Sequence, residues 1–325
     1  MAKAIRVHQI GGPEVLRWED APAVAPGPGQ VKLRHRYVGL NFIDVYHRTG
    51  LYPLPLPFTP GVEGAGVVTE LGAGVTDLRV GDRVAYAGAV GAYSEERVIA
   101  ADRLVKLPDA IDDKTAASMM LKGMTAQYLL RQTFKVSAGD VILFHAAAGG
   151  VGLIACQWAK HLGATVIGTA GGPEKVALAR ANGCEHVIDY TKEKFVDRVK
   201  ELTGGRGVKI VYDSVGRETF SGSLDCLVPR GMMVLFGQSS GPVPPFEPTI
   251  LAGKGSLFLT RPTMYSYTAT HQELVDTAAD LFQVVASGAV KIATGQVFAV
   301  TAAADAHRAL ESRATTGSTV LEVDA

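Results

Sequence analysis

The chain has 325 residues, 47% of them hydrophobic and 20% charged, which suits a folded protein of about two domains at roughly 150 residues each. Lysine plus arginine and aspartate plus glutamate both number 32, so the net charge is zero, and the electrostatic footprint of a dedicated nucleic-acid or membrane-surface binder is excluded. Cys156, Cys184 and Cys226 are too few and too scattered for a disulfide framework or a closed structural zinc site. The first residues lack an apolar leader segment, and no stretch approaches the ~18 apolar residues that cross a bilayer, so a cytoplasmic protein without a membrane partner is expected.

The first ~120 residues read as short strands between Gly/Pro turn signals: 31–37, 66–71, 82–87 and 94–99, an all-β block. From about Lys122 strand and helix patterns alternate, as in a doubly wound parallel sheet. Its strands fall at 141–145, 165–169, 186–188, 208–215 and 231–236, and its helices at 151–162, 173–181, 192–202 and 218–227. Beyond Arg261 come a long helix over 270–287, a strand over 296–300, a helix over 302–312 and a last strand over 318–323, a tail expected to rejoin the first block. The expected division is therefore residues 1–122, an inserted α/β domain over 123–262, and a return over 263–325. The active cleft is expected at the junction of the two, where ligands commonly bind.

After the apolar run Val141–Phe144 comes His145-Ala-Ala-Ala-Gly149-Gly150-Val151-Gly152, opening a helix. This is a Rossmann turn whose first glycine is replaced by Ala147. Gly149 permits close approach of the pyrophosphate, Gly152 permits helix and strand to touch, and the helix start offers N–H groups to phosphate. An NAD site places a carboxylate about 20 residues further on; here Ala170-Gly171-Gly172-Pro173-Glu174-Lys175 follows the second strand instead. Two glycines leave room and Lys175 offers a cation, so NADPH is the expected cofactor. A charge-assisted hydrogen bond is worth ~1.5–3 kcal/mol, so Lys175 carries about 10- to 150-fold of affinity.

Several segments together identify a family: Gly11-Gly-Pro-Glu-Val-Leu16, Val38-Gly-Leu-Asn-Phe-Ile-Asp44, Gly61-Val-Glu-Gly-Ala-Gly66, Lys122-Gly-Met-Thr125, His145 to Trp158, Val211-Tyr-Asp-Ser-Val-Gly216, Phe236-Gly-Gln-Ser-Ser240 and Leu310-Glu-Ser-Arg-Ala-Thr315. Over nearly its whole length the chain resembles the zinc-independent quinone oxidoreductases, zeta-crystallin-like, of the medium-chain dehydrogenase/reductase superfamily. The resemblance implies a GroES-like β-rich substrate domain, a Rossmann cofactor domain and a homodimer. Zinc-dependent relatives supply metal ligands at positions that here read Asn41, Val62 and Lys122, which cannot hold Zn²⁺. Alcohol oxidation loses its Lewis acid, whereas a quinone accepts hydride without one. The resemblance further assigns Asn41, Tyr46, Tyr52 and Thr125 to the reacting end, with Asn41 and Thr125 also touching cofactor. Lys175, Tyr190 and Arg313 go to the 2′-phosphate, Gly149, Gly150, Val151, Gly152 and Gly171 to the phosphate turns, and Ser214, Phe236, Gln238 and Ser239 to the nicotinamide half.

Plainer roles stand beside these. Asn41 could close a turn, Tyr46 and Tyr52 could be half-wet packing aromatics, and Asp44 and Glu63 read as capping or ion-pair carboxylates rather than acid and base. His47 reads as a surface histidine. Lys122 either bears on the cofactor or reaches a neighbouring carboxylate. Cys156 and Cys226 read as packed thiols within helices, and 241–248, with four prolines, as an ordered loop. The expected activity is NADPH-dependent reduction of a quinone, by placement of the reactants more than by any one side chain. Alternatives are reduction of a 2-alkenal or enone, and an NADPH-binding structural or RNA-associated protein.

Overall fold

The computed structural model describes residues 2–323. The chain forms two compact units, one taking the residues up to Met124, Thr268–Ala286 and those from Ile292 onward, the other Thr125–Tyr267 and Ser287–Lys291.

In the first unit β1 (Lys3–Arg6) pairs antiparallel with β2 (Arg17–Asp20). The main sheet is built on β3 (Gln30–Leu40), an eleven-residue strand with buried Val31 and Leu33 alternating with Lys32, Arg34 and Arg36. After α1 (Phe42–Arg48) come β4 (Glu63–Leu71), β5 (Arg83–Ala87), β6 (Glu96–Ala100) and β7 (Val105–Lys106). β3 pairs antiparallel with both β4 and β6, and the side chains turned away from the core meet across the register as Lys32 with Glu70 and Arg34 with Glu96. The inward faces gather Val31, Leu33, Val68, Val84, Tyr86 and Ile99 in one core.

This part of the chain is not all-β. Besides α1 it contains most of α2 (Asp113–Tyr128), within which the chain passes from one unit to the other. The periodicity of α2 is hidden because Ala116, Ala117, Met119, Met120 and Met124 are all buried, leaving no polar face to alternate with an apolar one. Its start was legible: Asp112 accepts from the Thr115 backbone N–H at 2.7 Å, the usual N-cap contact.

The second unit has β8 (Val141–Phe144), α3 (Gly150–His161), β9 (Thr165–Ala170), α4 (Pro173–Ala181), β10 (His186–Asp189), α5 (Phe195–Leu202), β11 (Val208–Asp213), α6 (Phe220–Asp225) and β12 (Leu227–Leu235), then α7 (Thr249–Gly253), β13 (Phe258–Thr260) and α8 (Met264–Tyr267). Its strands are all parallel in the order β10-β9-β8-β11-β12-β13. That is the Rossmann order 3-2-1-4-5-6, whose direction of winding reverses between β8 and β11, the place where such sheets bind ligands beyond the carboxyl ends of their strands. Cys226 lies not in a helix but in the cap residue after α6, buried against the core of this sheet. The segment 241–248 is without regular structure.

The chain then supplies α9 (His271–Ala286), β14 (Thr294–Ala299), α10 (Ala303–Glu311) and β15 (Ser318–Glu322). β15 pairs antiparallel with β3, Val320 opposite Gly39, and parallel with β14, so the tail completes the sheet of the first unit.

Candidate active site

In the second unit the phosphate turn follows β8. Ala146 takes the left-handed conformation at φ 54°, and Gly149 caps α3. Gly152 is pressed against the turn: a Cβ there would lie 2.5 Å from the Ala146 carbonyl oxygen and 2.6 Å from that of Ala147. Gly150 and Val151 stand between them in the first turn of α3. Only a side-chain-free residue lets the helix start this close to the strand, so a phosphate can meet its N–H groups and positive dipole end. The residues present fit a dinucleotide.

The next crossover forms a second corner. Tyr190 packs so closely on Gly171 that a Cβ there would be 2.5 Å from the phenol oxygen. Asp189, at the end of β10, accepts at one oxygen from the Gly172 N–H (3.0 Å), the Thr191 N–H (3.1 Å) and the Thr191 hydroxyl (2.7 Å). Thr191 holds the carboxyl below the ordinary range, with Gly172 adding to it. This carboxylate therefore clamps the glycine turn, a role signalled in the sequence by the Asp-x-Thr spacing of an Asx turn. Lys175 sits half-buried in the first turn of α4, beside the same corner.

Just beyond the carboxyl ends of β11 and β12 lie Ser214, Phe236, Gln238 and Ser239. The Phe236 N–H donates to the Asp213 carbonyl at 2.8 Å, the Ser239 N–H to the Ser214 carbonyl at 3.1 Å, and Gln238 closes the turn by accepting from Gly241. Phe236 packs on Phe144, with ring centres 5.8 Å apart. Thr125, buried in α2, hydrogen-bonds the Tyr128 phenol, whose ring stacks on Tyr267 at 4.6 Å.

In the first unit α1 starts at Asn41. Asp44 accepts from the Asn41 backbone N–H at 2.9 Å, one half of a capping box. The Asn41 side-chain amide donates to Glu63 at 2.8 Å, and Lys122 donates to the same oxygen at 2.9 Å, while the other Glu63 oxygen accepts from the Leu121 N–H at 2.8 Å. Glu63 is fully buried and Lys122 almost so. Tyr46 follows one turn on, its ring edge-on to that of Tyr52 at 5.2 Å. Arg313 ends α10 in the left-handed conformation, φ 60°. Its N–H donates to the Leu310 carbonyl and that of Ala314 to the Ala309 carbonyl, a Schellman turn with arginine where glycine is usual.

Comparison with known proteins agrees with this geometry. Residues 27–109 match the alcohol dehydrogenase GroES-like domain and residues 150–283 the zinc-binding dehydrogenase domain. A quinone oxidoreductase of Pseudomonas aeruginosa is 54% identical over 323 residues, 99% of each chain. The crystal structure of Escherichia coli quinone oxidoreductase complexed with NADPH superposes with a TM-score of 0.97 at 48% identity, covering 99% of this chain and 100% of that one. A 2-haloacrylate reductase of Burkholderia is 47% identical over 330 residues, 99% of each chain.

The chain belongs to the quinone oxidoreductase family of medium-chain dehydrogenase/reductases. Within that family the metal question turns on donors. The positions that the resemblance aligns with metal ligands, Asn41, Val62 and Lys122, hold an amide, an isopropyl group and an ammonium, and that ammonium is engaged by Glu63. Among the described residues no three His, Cys, Asp or Glu side chains gather as around a metal ion. These residues do not fit zinc. Lys122 takes the second of the two roles left open for it, and Asp44 and Glu63 are the capping and ion-pair carboxylates expected.

His47 corrects the surface reading. It is buried, its Nδ1 has no hydrogen-bond partner, and burial holds its pKa below the ordinary value. The helix α1 turns it inward, and a lone residue letter carries no sign of that. Two buried groups were missed altogether. His35, inward on β3, bonds the Ser94 carbonyl at 2.7 Å and the Tyr86 hydroxyl at 2.8 Å; burial, with Arg97 adding to it, lowers its pKa to about 3. In the cofactor unit Asp213 accepts from Ser223 (2.9 Å), Ser223 from His145 Nε2 (3.0 Å), and His145 Nδ1 from Thr169 (3.0 Å). The trio has the letters of a hydrolase triad, but the serine stands between the acid and the histidine and all three are buried. It cannot work as a nucleophile and base; it ties together the carboxyl ends of β8, β9 and β11 beneath the phosphate turn.

Proposed function

We propose that this protein reduces a quinone with NADPH and without a bound metal. The observation that carries this reading is the Lys122–Glu63–Asn41 group. At a position that the family resemblance aligns with a metal ligand it offers an ammonium already paired with Glu63, which supports an acceptor that takes hydride without Lewis-acid help. Relatives named quinone oxidoreductases, one of them solved in complex with NADPH, support both the quinone and the NADPH. When bound, the dihydronicotinamide supplies a hydride; with one proton from water or a nearby hydroxyl this converts quinone to hydroquinone.

The chain's own work is placement, which can supply ~7–11 kcal/mol of a bimolecular barrier. In this reading Gly149, Gly150, Val151 and Gly152 take the pyrophosphate, with Gly171 opening the adenosine corner. Lys175, Tyr190 and Arg313 select the 2′-phosphate and so NADPH over NADH. Ser214, Phe236, Gln238, Ser239 and Thr125 hold the nicotinamide half. Asn41, Tyr46 and Tyr52 border the acceptor, the tyrosines offering hydroxyl protons. The family supports a homodimer, which light scattering checks, and three buried free thiols accord with a reducing cytoplasm.

The Burkholderia relative favours a second reading, reduction of an activated alkene, which differs in requiring a proton at the carbon α to the carbonyl or carboxylate. Steady-state NADPH oxidation with 1,4-benzoquinone, a 2-alkenal and 2-chloroacrylate decides between them. The expected order is quinone first by at least tenfold in kcat/KM. Equal or greater turnover of either alkene overturns the quinone reading, and binding of NADPH without any turnover leaves a binding protein.

A further inference from the structure

Helix α1 has seven residues, too few to hold its shape or place unaided, yet it begins at Asn41 and carries Tyr46. Its last residue, Arg48, is 1% exposed. The guanidinium donates to both oxygens of Glu311 at 2.9 and 2.8 Å, to the Gly11 carbonyl at 3.1 Å and to His307 Nδ1 at 3.1 Å. A guanidinium only donates, so His307 Nδ1 is an acceptor and the ring proton of this neutral histidine stays on Nε2. Burial, with Arg48 adding to it, keeps His307 neutral, its pKa lowered to about 3. Nε2–H then donates to the Tyr93 oxygen at 3.3 Å, and Tyr93 donates to Asp44 Oδ2 at 3.0 Å. Asp44 is back on α1, and the same oxygen accepts the Asn41 N–H. The hydrogen bonds therefore form a closed one-way ring that leaves α1 at its end and returns at its first turn, every proton assigned by the arginine.

We propose that Arg48, His307 and Tyr93 are positioning residues for the reduction, fixing through this ring the rotation and register of α1 and hence the placement of Asn41 and Tyr46. The inference rests on the reading that those two residues serve the reacting end. Glu311 shares Arg48 but stands outside the ring, so it serves as the internal control. Tyr93→Phe removes the hydroxyl, and with it both ring hydrogen bonds to His307 and Asp44, at almost no change of volume. His307→Gln keeps an acceptor for Arg48 and a donor for Tyr93, whereas His307→Leu keeps neither.

Each purified full-length variant is assayed with NADPH and 1,4-benzoquinone, and NADPH affinity is measured by titration calorimetry. Tyr93→Phe and His307→Leu are expected to lower kcat about tenfold or more with NADPH Kd within twofold of the parent. His307→Gln is expected to recover kcat to within about threefold, and Glu311→Gln to stay within about twofold. Full kcat in Tyr93→Phe, or equal losses in the Gln and Leu variants of His307, overturns the ring; so does a loss in Glu311→Gln as large as that in Tyr93→Phe. Asn41→Ala tests the underlying reading separately: if it turns over at the parental rate while Tyr93→Phe does not, the assignment of Asn41 fails and the ring acts through other residues of α1. A variant too unstable to purify is replaced by the other disruption of the same ring.

Discussion

Asp44 shows how burial sets the charge of a single group. Fully buried, it takes two donors, Asn41 and Tyr93, on one oxygen while the other has no protein partner, and desolvation raises the pKa from 3.8 to about 7 against the hydrogen bonds that lower it. The folded protein therefore keeps this proton where the unfolded chain has lost it, and the stability drawn from it disappears as pH rises from about 4 to 7. His35 and His307, held near 3 against an ordinary 6.5, act oppositely: their contribution is present above 6.5 and is lost as pH falls toward 3. Between about pH 4 and 6.5 the unfolded chain gains two protons at the histidines while the native protein keeps one at Asp44. Asp44→Asn should steepen the rise of stability with pH there by one proton, about 1.4 kcal/mol per pH unit. Denaturant melts at pH 4.5, 5.5 and 6.5 check the slope, and an unaltered slope would mean that Asp44 is ionised in the fold. At Arg313 the opposite bargain is visible. A left-handed non-glycine residue costs about 1 kcal/mol, and glycine would relieve it. Arg313→Gly is expected to raise Tm by a few degrees while weakening NADPH binding about tenfold. A stabilised variant with unchanged NADPH affinity removes Arg313 from the cofactor site.

At the scale of the element, the reach of a pattern depends on whether one of its faces meets water. Strand β3 alternates and was visible, and α9 with its apolar stripe was visible too. α2, buried on all sides beyond its first turn, was not, and α1 hid because seven residues are too short for a period to show, although Asn41 and Asp44 at the spacing of a capping box marked its start. The junction of β8 with α3 makes a sharper demand. Gly152→Ala would drive a methyl into two backbone carbonyls at 2.5 and 2.6 Å, and backbone cannot step aside as a side-chain tip can. The start of α3 must then move away from the strand. An NADPH affinity at least tenfold lower by calorimetry, with a lower Tm, is the expected result; parental affinity would show that the phosphate does not use this turn.

For the whole molecule the net charge is zero, so no overall charge draws a dinucleotide to the protein, and nucleotide preference is expected from local contacts. A ligand present at 100 times its Kd stabilises the folded state by about 2.7 kcal/mol, enough to move Tm by several degrees. Saturating NADPH should raise Tm at concentrations where NADH does not, and Lys175→Ala should bring the two concentration curves together. Separate curves in that variant would place the discrimination on other residues.

Turn chemistry, strand alternation and glycine spacing are local, and they disclosed the βα repeat and the phosphate loop, because each depends on neighbours within one turn or one crossover; the reading of Asn41, Val62 and Lys122 as non-ligands came instead from the resemblance to a known family. Residue letters did not disclose that Lys122 would meet Glu63, that His47 would point inward, that Asp213, Ser223 and His145 would interlock, or that Arg48 would close a ring with His307 and Tyr93. These partners lie 59 to 259 positions apart in most cases, and only packing, which removes water and forces each buried polar atom to find another, decides which of them meet.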